Sequence, residues 1–144
     1  MTKATAIDIE KVEALAGHMV GLMTGAAVCA AVMLGDELGL YRTMADTGAI
    51  GADDLARRTS CHPRLIREWL DGQAASGLIA FDAAADTYEL TPEGVMIFAD
   101  EDSPAFLAGG VGTMATLYLD MAKMVQAFRG DGGIAWGDHA PALY

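Results

Sequence analysis

From Val12 to Met33 the apolar residues recur at three- and four-residue steps. Val12, Leu15, Met19, Leu22, Met23, Ala26, Val28, Val32 and Met33 fall on the repeat of an α-helix. Thr5-Ala-Ile-Asp8 has capping-box spacing, so this helix is predicted to start there, with a break or bend at Gly35. Leu38, Leu40, Tyr41 and Met44 predict a second, short helix that ends near Asp46-Thr-Gly. Together they make a helical arm of about 35 residues, far beyond the usual 11–12, and helices of that length are generally held from outside their own domain.

The pattern then shortens. Asp53–Arg58 predicts a short helix with acids in its first turn, where the helix dipole favours them. Thr59-Ser-Cys-His62 reads as a turn, and Pro63 suits the first position of a new helix. Leu65, Ile66, Trp69, Leu70 and Ala74 give that helix an apolar face, and Gly77 stands where a C-terminal capping glycine belongs. Leu78–Phe81 and Thr87–Leu90 flank Asp82-Ala-Ala-Ala-Asp86 as a hairpin, and Thr91-Pro92 starts a helix that runs to about Phe98. Helix, turn, helix and two-stranded wing make a winged helix, spread over "LARRTSCHPRLIREWLDGQAASGLIAFDAAADTYELTPEG".

Past Pro104, which opens a short helical turn, Gly109-Gly-Val-Gly112 predicts a flexible break. Thr113 then begins an amphipathic helix with Met114, Leu117, Tyr118, Met121, Val125 and Phe128 on one face, stopped by Arg129-Gly130. The tail "GDGGIAWGDHAPALY" has no period and reads as the start of a linker. The predicted fold is mainly α: a helical arm over 1–46, a winged helix-turn-helix with a small β-hairpin over 47–102, and an amphipathic helix with linker over 103–144.

Composition narrows the options. Nine basic against twenty acidic residues leave a net charge of −11, which repels phosphate and argues against general nucleic-acid binding. The run Met19–Leu34 holds sixteen uncharged residues, short of the roughly 20 a bilayer needs. Asp36 and Glu37 follow it, with no basic flank. It is therefore expected to be a helix buried on nearly all sides rather than a membrane span. Cys29 and Cys61 have no metal-site spacing, which fits a reduced, cytoplasmic protein.

The candidate chemistry is sparse. The glycines at 109, 110 and 112 lack the preceding strand of a nucleotide fingerprint. Cys61-His62 are neighbours that rarely point at one ion, His18 fits an interface histidine, and Asp53-Asp54 diverge on their helix. Asp138 and His139 with Trp136 and Tyr144 either line a small-molecule pocket or pack as linker residues. Arg57, Arg58, Arg64 and Arg67 cluster in the helix-turn-helix, but Glu68 and Asp71 share its second helix. The wing carries Asp82, Asp86 and Glu89 and no base.

The order of elements resembles the N-terminal domain of bacterial class I S-adenosylmethionine-dependent methyltransferases, in the layout of small-molecule O-methyltransferases. The likeness covers nearly the whole chain and is strongest at "LGDELGLYRTMAD" and "LIREWLDGQAASGLI". It implies a winged helix that serves an intertwined homodimer and closes over the substrate, with a Rossmann-like cofactor domain to follow. No strand with an acidic-x-Gly-x-Gly-x-Gly loop occurs in these 144 residues. No catalytic, cofactor or metal residue is therefore carried over, and the chain alone is expected to bind no S-adenosylmethionine and to be inactive.

Small residues every four positions let a second backbone approach, so Gly17, Gly21, Gly25 and Cys29, with Met19 and Met23, are the expected dimer interface. The resemblance also implies that Tyr118 and Met121, with Trp136 and His139 of the tail, partly line the substrate pocket. The alternatives are a winged-helix regulator that reads DNA with Arg64 and Arg67, or a free-standing small-molecule binding protein.

Overall fold

The first helix, α1 (Ile9–Glu37), is 29 residues long and uninterrupted. The computed structural model describes residues 7–130 and 132–141. Within these, Asp8 is the N-cap of α1 and its carboxylate accepts from the Lys11 N–H at 3.3 Å. Thr5, the other half of the expected capping box, lies outside the described residues. The expected break at Gly35 is absent, because Gly35 is where α1 packs most closely on the core. A Cβ built there would sit 2.4 Å from Trp69 Cζ2 and 2.7 Å from Tyr41 Cε2. The chain turns instead at Gly39, in the left-handed conformation with φ of 65°, and enters α2 (Leu40–Thr47).

A second expectation also fails. Of α1, only Val32 and Gly35 are buried, while Leu15, Met19, Leu22 and Met23 are more than half exposed. Only the C-terminal part of the helix meets the rest of the domain, through α2, α4 (Pro63–Ala75) and α6 (Ala108–Leu119). By length and composition alone, α1 as a whole is long and apolar enough to cross a bilayer.

The winged helix forms as the sequence predicts. Ala52–Thr59 is α3, Ser60 takes the left-handed turn, and Pro63 opens α4 behind the cap residue His62. The antiparallel wing pairs β1 (Ala80–Asp82) with β2 (Thr87–Glu89), Phe81 opposite Tyr88. A bridge from Ile50 to Tyr88 adds the segment after α2 to this ribbon. Thr91 caps α5 (Pro92–Phe98), its hydroxyl accepting from the Gly94 N–H at 3.1 Å.

One core joins these parts. Leu40, Tyr41 and Met44 of α2 pack with Leu55, Ile66, Trp69, Leu70 and Tyr88, all buried. Tyr41 stacks on Phe98 with centroids 4.9 Å apart and meets Trp69 edge-on at 5.1 Å. Its buried hydroxyl donates to Gln73 Oε1 at 2.5 Å, and burial, with Asp36 as a smaller cause, raises its pKa well above the ordinary tyrosine value. The Trp69 indole donates to the Ala31 carbonyl at 2.8 Å, tying α4 to α1.

The C-terminal third departs from the expected pattern. The glycines at 109, 110 and 112 lie inside α6, and the chain around Pro104 forms turns rather than a helix. A second helix, α7 (Met121–Arg129), follows at Asp120, and Gly130 ends it as predicted. The face of Met114, Leu117, Tyr118, Met121, Val125 and Phe128 is therefore split between two helices. All six side chains are exposed, so it is not a core face.

Candidate functional site

Three features have functional geometry. The first is an open groove of about 330 Å³ between α1 and α6, lined by Ala26, Cys29, Met33, Met114, Tyr118 and Leu119, among others. Gly17, Gly21 and Gly25 continue the small-residue edge of α1 beyond it, and a Cβ at any of them would meet nothing within 4 Å. Apolar side chains line one wall and an uncovered backbone edge extends from it, so the surface is shaped for close packing.

The second is centred on Asp120, at the junction of α6 and α7. Its carboxylate is 2% exposed yet fully engaged. Oδ1 accepts from Lys123 Nζ at 2.9 Å, while Oδ2 takes the Ala140 N–H at 3.1 Å and meets His139 Nδ1 at 2.8 Å. The Lys123 ammonium is the largest cause that lowers the Asp120 pKa, against the opposing effect of burial. With Ala140 N–H and His139 assisting, it falls to about 2. Lys123 also donates to the Asp138 carbonyl, and the Trp136 ring lies edge-on to His139 at 6.0 Å.

These bonds fold the tail back on α7 by way of Gly132 and Gly133, whose φ of 65° and 104° few other residues adopt. Between tail and helix lies a cleft of about 340 Å³, lined by Met124, Ala127, Phe128, Ile134 and His139, with the two glycines. Phe128, 90% exposed, forms its open lip.

The third is the helix-turn-helix surface, where each arginine has an acidic partner. Arg57 and Arg58 both bond Asp54 within α3, and Arg64 lies 3.8 Å from Glu68. Arg67 forms a two-pronged pair with Asp86 of the wing, at 2.6 and 2.7 Å, and donates to the Tyr88 hydroxyl at 3.0 Å. Tyr88 in turn donates to Asp71. Asp86 is held below the ordinary carboxylate range by Arg67, and its acid side chain closes the wing over the helix.

Residues 26–99 match the Rv2258c-like winged HTH domain, just over half of the 144 residues. The chain belongs to this winged HTH family. A comparison with curated protein sequences finds no match. Among solved structures, this chain is similar to the mitomycin 7-O-methyltransferase MmcR, at 21% identity and a TM-score of 0.66 over 83% of this chain and 35% of that one. It is similar to PigF with SAH at 21% identity and a TM-score of 0.65, over 81% and 37% of the two chains. Human N-acetylserotonin methyltransferase in complex with SAM gives 15% and 0.65, over 89% and 36%. The likeness is one of fold, and the chain spans little more than a third of each of these proteins.

The structure distributes the expected site residues. Gly17, Met19, Gly21, Met23, Gly25 and Cys29 share the exposed length of α1. Tyr118 faces the α1–α6 groove and His139 the tail cleft, so they are not brought together. Met121 is half exposed and lines neither, and Trp136 is exposed beside His139. Tyr144 lies outside the described residues. The residue that organises the tail, Asp120, carries no signal in the sequence beyond being an acid in an apolar helix face. Its role depends on a partner nineteen positions away.

The described residues do not form a cofactor crevice of the dinucleotide type. The glycine run is helical, and among the described residues the strands are the three-residue wing pair.

Proposed function

We propose that this chain is the N-terminal domain of an S-adenosylmethionine-dependent methyltransferase that acts on a small molecule. In this reading it pairs two subunits through α1 and covers the acceptor site. The carrying observation is the fold match, by which nearly the whole chain corresponds to a third of several methyltransferase structures.

The long exposed apolar face of α1 supports the pairing role. A helix that leaves Leu15, Met19, Leu22 and Met23 in water is stabilised when a second subunit covers them. Its glycine-rich edge and acidic C-terminal flank favour a protein neighbour over lipid. The free thiols of Cys29 and Cys61 are compatible with the reducing cytoplasm.

The residues encoded after Tyr144 test the reading. A strand ending in a glycine-rich loop within about 50 residues is expected, because the cofactor binds at such a loop and this chain has none. Its absence, or stoichiometric S-adenosylmethionine binding by these 144 residues in a calorimetric titration, overturns the proposal. The paired arginines weigh against the DNA-reading alternative, since Arg64 and Arg67 already have acidic partners.

A further inference from the structure

The wing has an open edge, and its hydrogen bonds fix which groups stand on it. Tyr88 of β2 exchanges both backbone bonds with Ile50, each at 2.9 Å. Its N–H and C=O therefore point away from β1, and Phe81, which stands opposite, is its non-hydrogen-bonded partner. By the same alternation the Phe81 N–H and C=O point outward from β2, and no other described backbone group bonds them. All of β1 is exposed. The Phe81 side chain is 48% exposed even though its ring stacks on Tyr88, with centroids 4.7 Å apart.

The two faces of this edge differ in charge. Ala80 opposes Glu89 and Asp82 opposes Thr87, so these four side chains share the face turned away from Phe81 and Tyr88. With Ala49 and the Phe81 backbone they line a hollow of about 150 Å³. Asp82 accepts from the Ala84 and Ala85 N–H groups of the turn and Glu89 accepts nothing, so neither carboxylate has a basic partner among the described residues. Ala80 stands between the open edge and Glu89, and its single methyl leaves a long side chain room to cross.

We propose that β1 takes up an extended basic segment of a partner protein as an added antiparallel strand. The partner residue opposite Phe81 exchanges both backbone bonds with it and lays an apolar side chain against the Phe81 ring. Its two neighbours fall on the acidic face, where one lysine or arginine meets Asp82 and the other reaches over Ala80 to Glu89. With strands roughly 4.8 Å apart, Glu89 lies two spacings from the added strand, within the joint reach of two long side chains. The motif recognised is basic–apolar–basic. A second copy of this chain is a poor occupant, because its own β1 brings the same acids to the same face in a chain of net charge −11. The inference goes beyond the methyltransferase reading and does not depend on it.

The test titrates the 144-residue chain with end-blocked, fluorescently labelled peptides, followed by anisotropy. The probe is "TKVKT", and the controls are "TEVET" and "TKVKT" with N-methylated valine. Methylation keeps the charge but removes the N–H that bonds the Phe81 carbonyl. The probe is expected to bind with a Kd below about 1 mM, and the acidic peptide not at all. The methylated probe should bind about tenfold more weakly, the effect of one lost hydrogen bond with its steric block. Glu89→Gln should weaken the probe about twofold to fivefold, the range of an exposed ion pair. In nitrogen-15 spectra the Phe81 amide should shift with the probe, and its exchange with solvent should slow.

No binding of the probe up to that concentration overturns the proposal, as does a Phe81 amide that does not move. Equal binding of the methylated probe overturns it too, since charge alone would then hold the peptide. An unchanged affinity in Glu89→Gln removes the crossing contact over Ala80 and with it the stated motif. Protection of the Phe81 amide in the chain alone, rising with protein concentration, gives the edge to a second copy instead.

Discussion

The guanidinium of Arg67 on α4 and the carboxylate of Asp86 in the wing turn meet through two N–H···O bonds of 2.6 and 2.7 Å. In a winged helix that reads DNA, this helix and this wing approach the duplex together. Here each occupies the other's charge. Arg67 keeps its proton at all accessible pH, since Asp86 and then Tyr88 both stabilise the cation.

The first prediction follows from that pair and from the net charge of −11. A gel shift with mixed-sequence duplex should show no retained complex at 50 mM salt or above. Asp86→Ala, which frees Arg67, should not create one, because the surrounding acids remain. A tight complex whose affinity falls steeply between two salt concentrations would instead restore the DNA reading.

Gly35 gives a second test, on stability. Its missing Cβ is the space that Trp69 and Tyr41 occupy. Gly35→Ala should destabilise the fold by about 1–3 kcal/mol, the usual cost of overpacking, partly offset by alanine's better helix propensity. Urea unfolding measures this. A midpoint equal to wild type would show that α1 does not bear on the core as closely as the distances state.

Gly21 tests the pairing role of α1. Nothing lies within 4 Å of a Cβ there, so Gly21→Leu should leave the domain's own fold intact while blocking close approach by a second helix. Light scattering on a sizing column should give wild type at twice its 15.0 kDa and shift the variant towards monomer. A wild-type monomer at micromolar concentration argues against the interface.

The Asp120 cluster has a defined pH window. Its carboxyl pKa falls from 3.8 to about 2 in the fold, so the unfolded state binds the proton more readily. The stabilisation is fully present above about pH 4 and is lost as pH falls towards 2. Followed by the Trp136 indole resonance, wild type and Asp120→Asn should differ at pH 5 to 7 and converge near pH 2. Identical curves throughout would remove Asp120 from the tail's support.

The sequence carried the winged helix because that region encodes its elements locally. Pro63 and Pro92 start helices, Thr91 caps one, Gly77 ends one, and the hairpin turn is written between Asp82 and Asp86. The arm and the C-terminal third were less legible for opposite reasons. At Gly35 the residue type suggested a break, whereas the tertiary neighbour Trp69 requires a glycine inside a continuous helix. At 109–112 three glycines suggested flexibility, yet α6 runs through them beside α1. The apolar positions from Met114 to Phe128 read as one face of a single helix, which the structure divides at Asp120. Where such a face points is a property of the assembly, which periodicity does not encode.

The length of α1 bears on how this protein behaves on dilution. At about 1.5 Å per residue it is roughly 43 Å long, and most of that length is exposed. An unsupported helix with glycines at 17, 21 and 25 is marginal in water. In the proposed pairing its order depends on mass action: residues 9–25 are expected to be helical where subunits pair and to fray where they part. Far-ultraviolet ellipticity per residue should decline with protein concentration through the same range in which the mass halves. The secondary structure of this segment is then a measure of association.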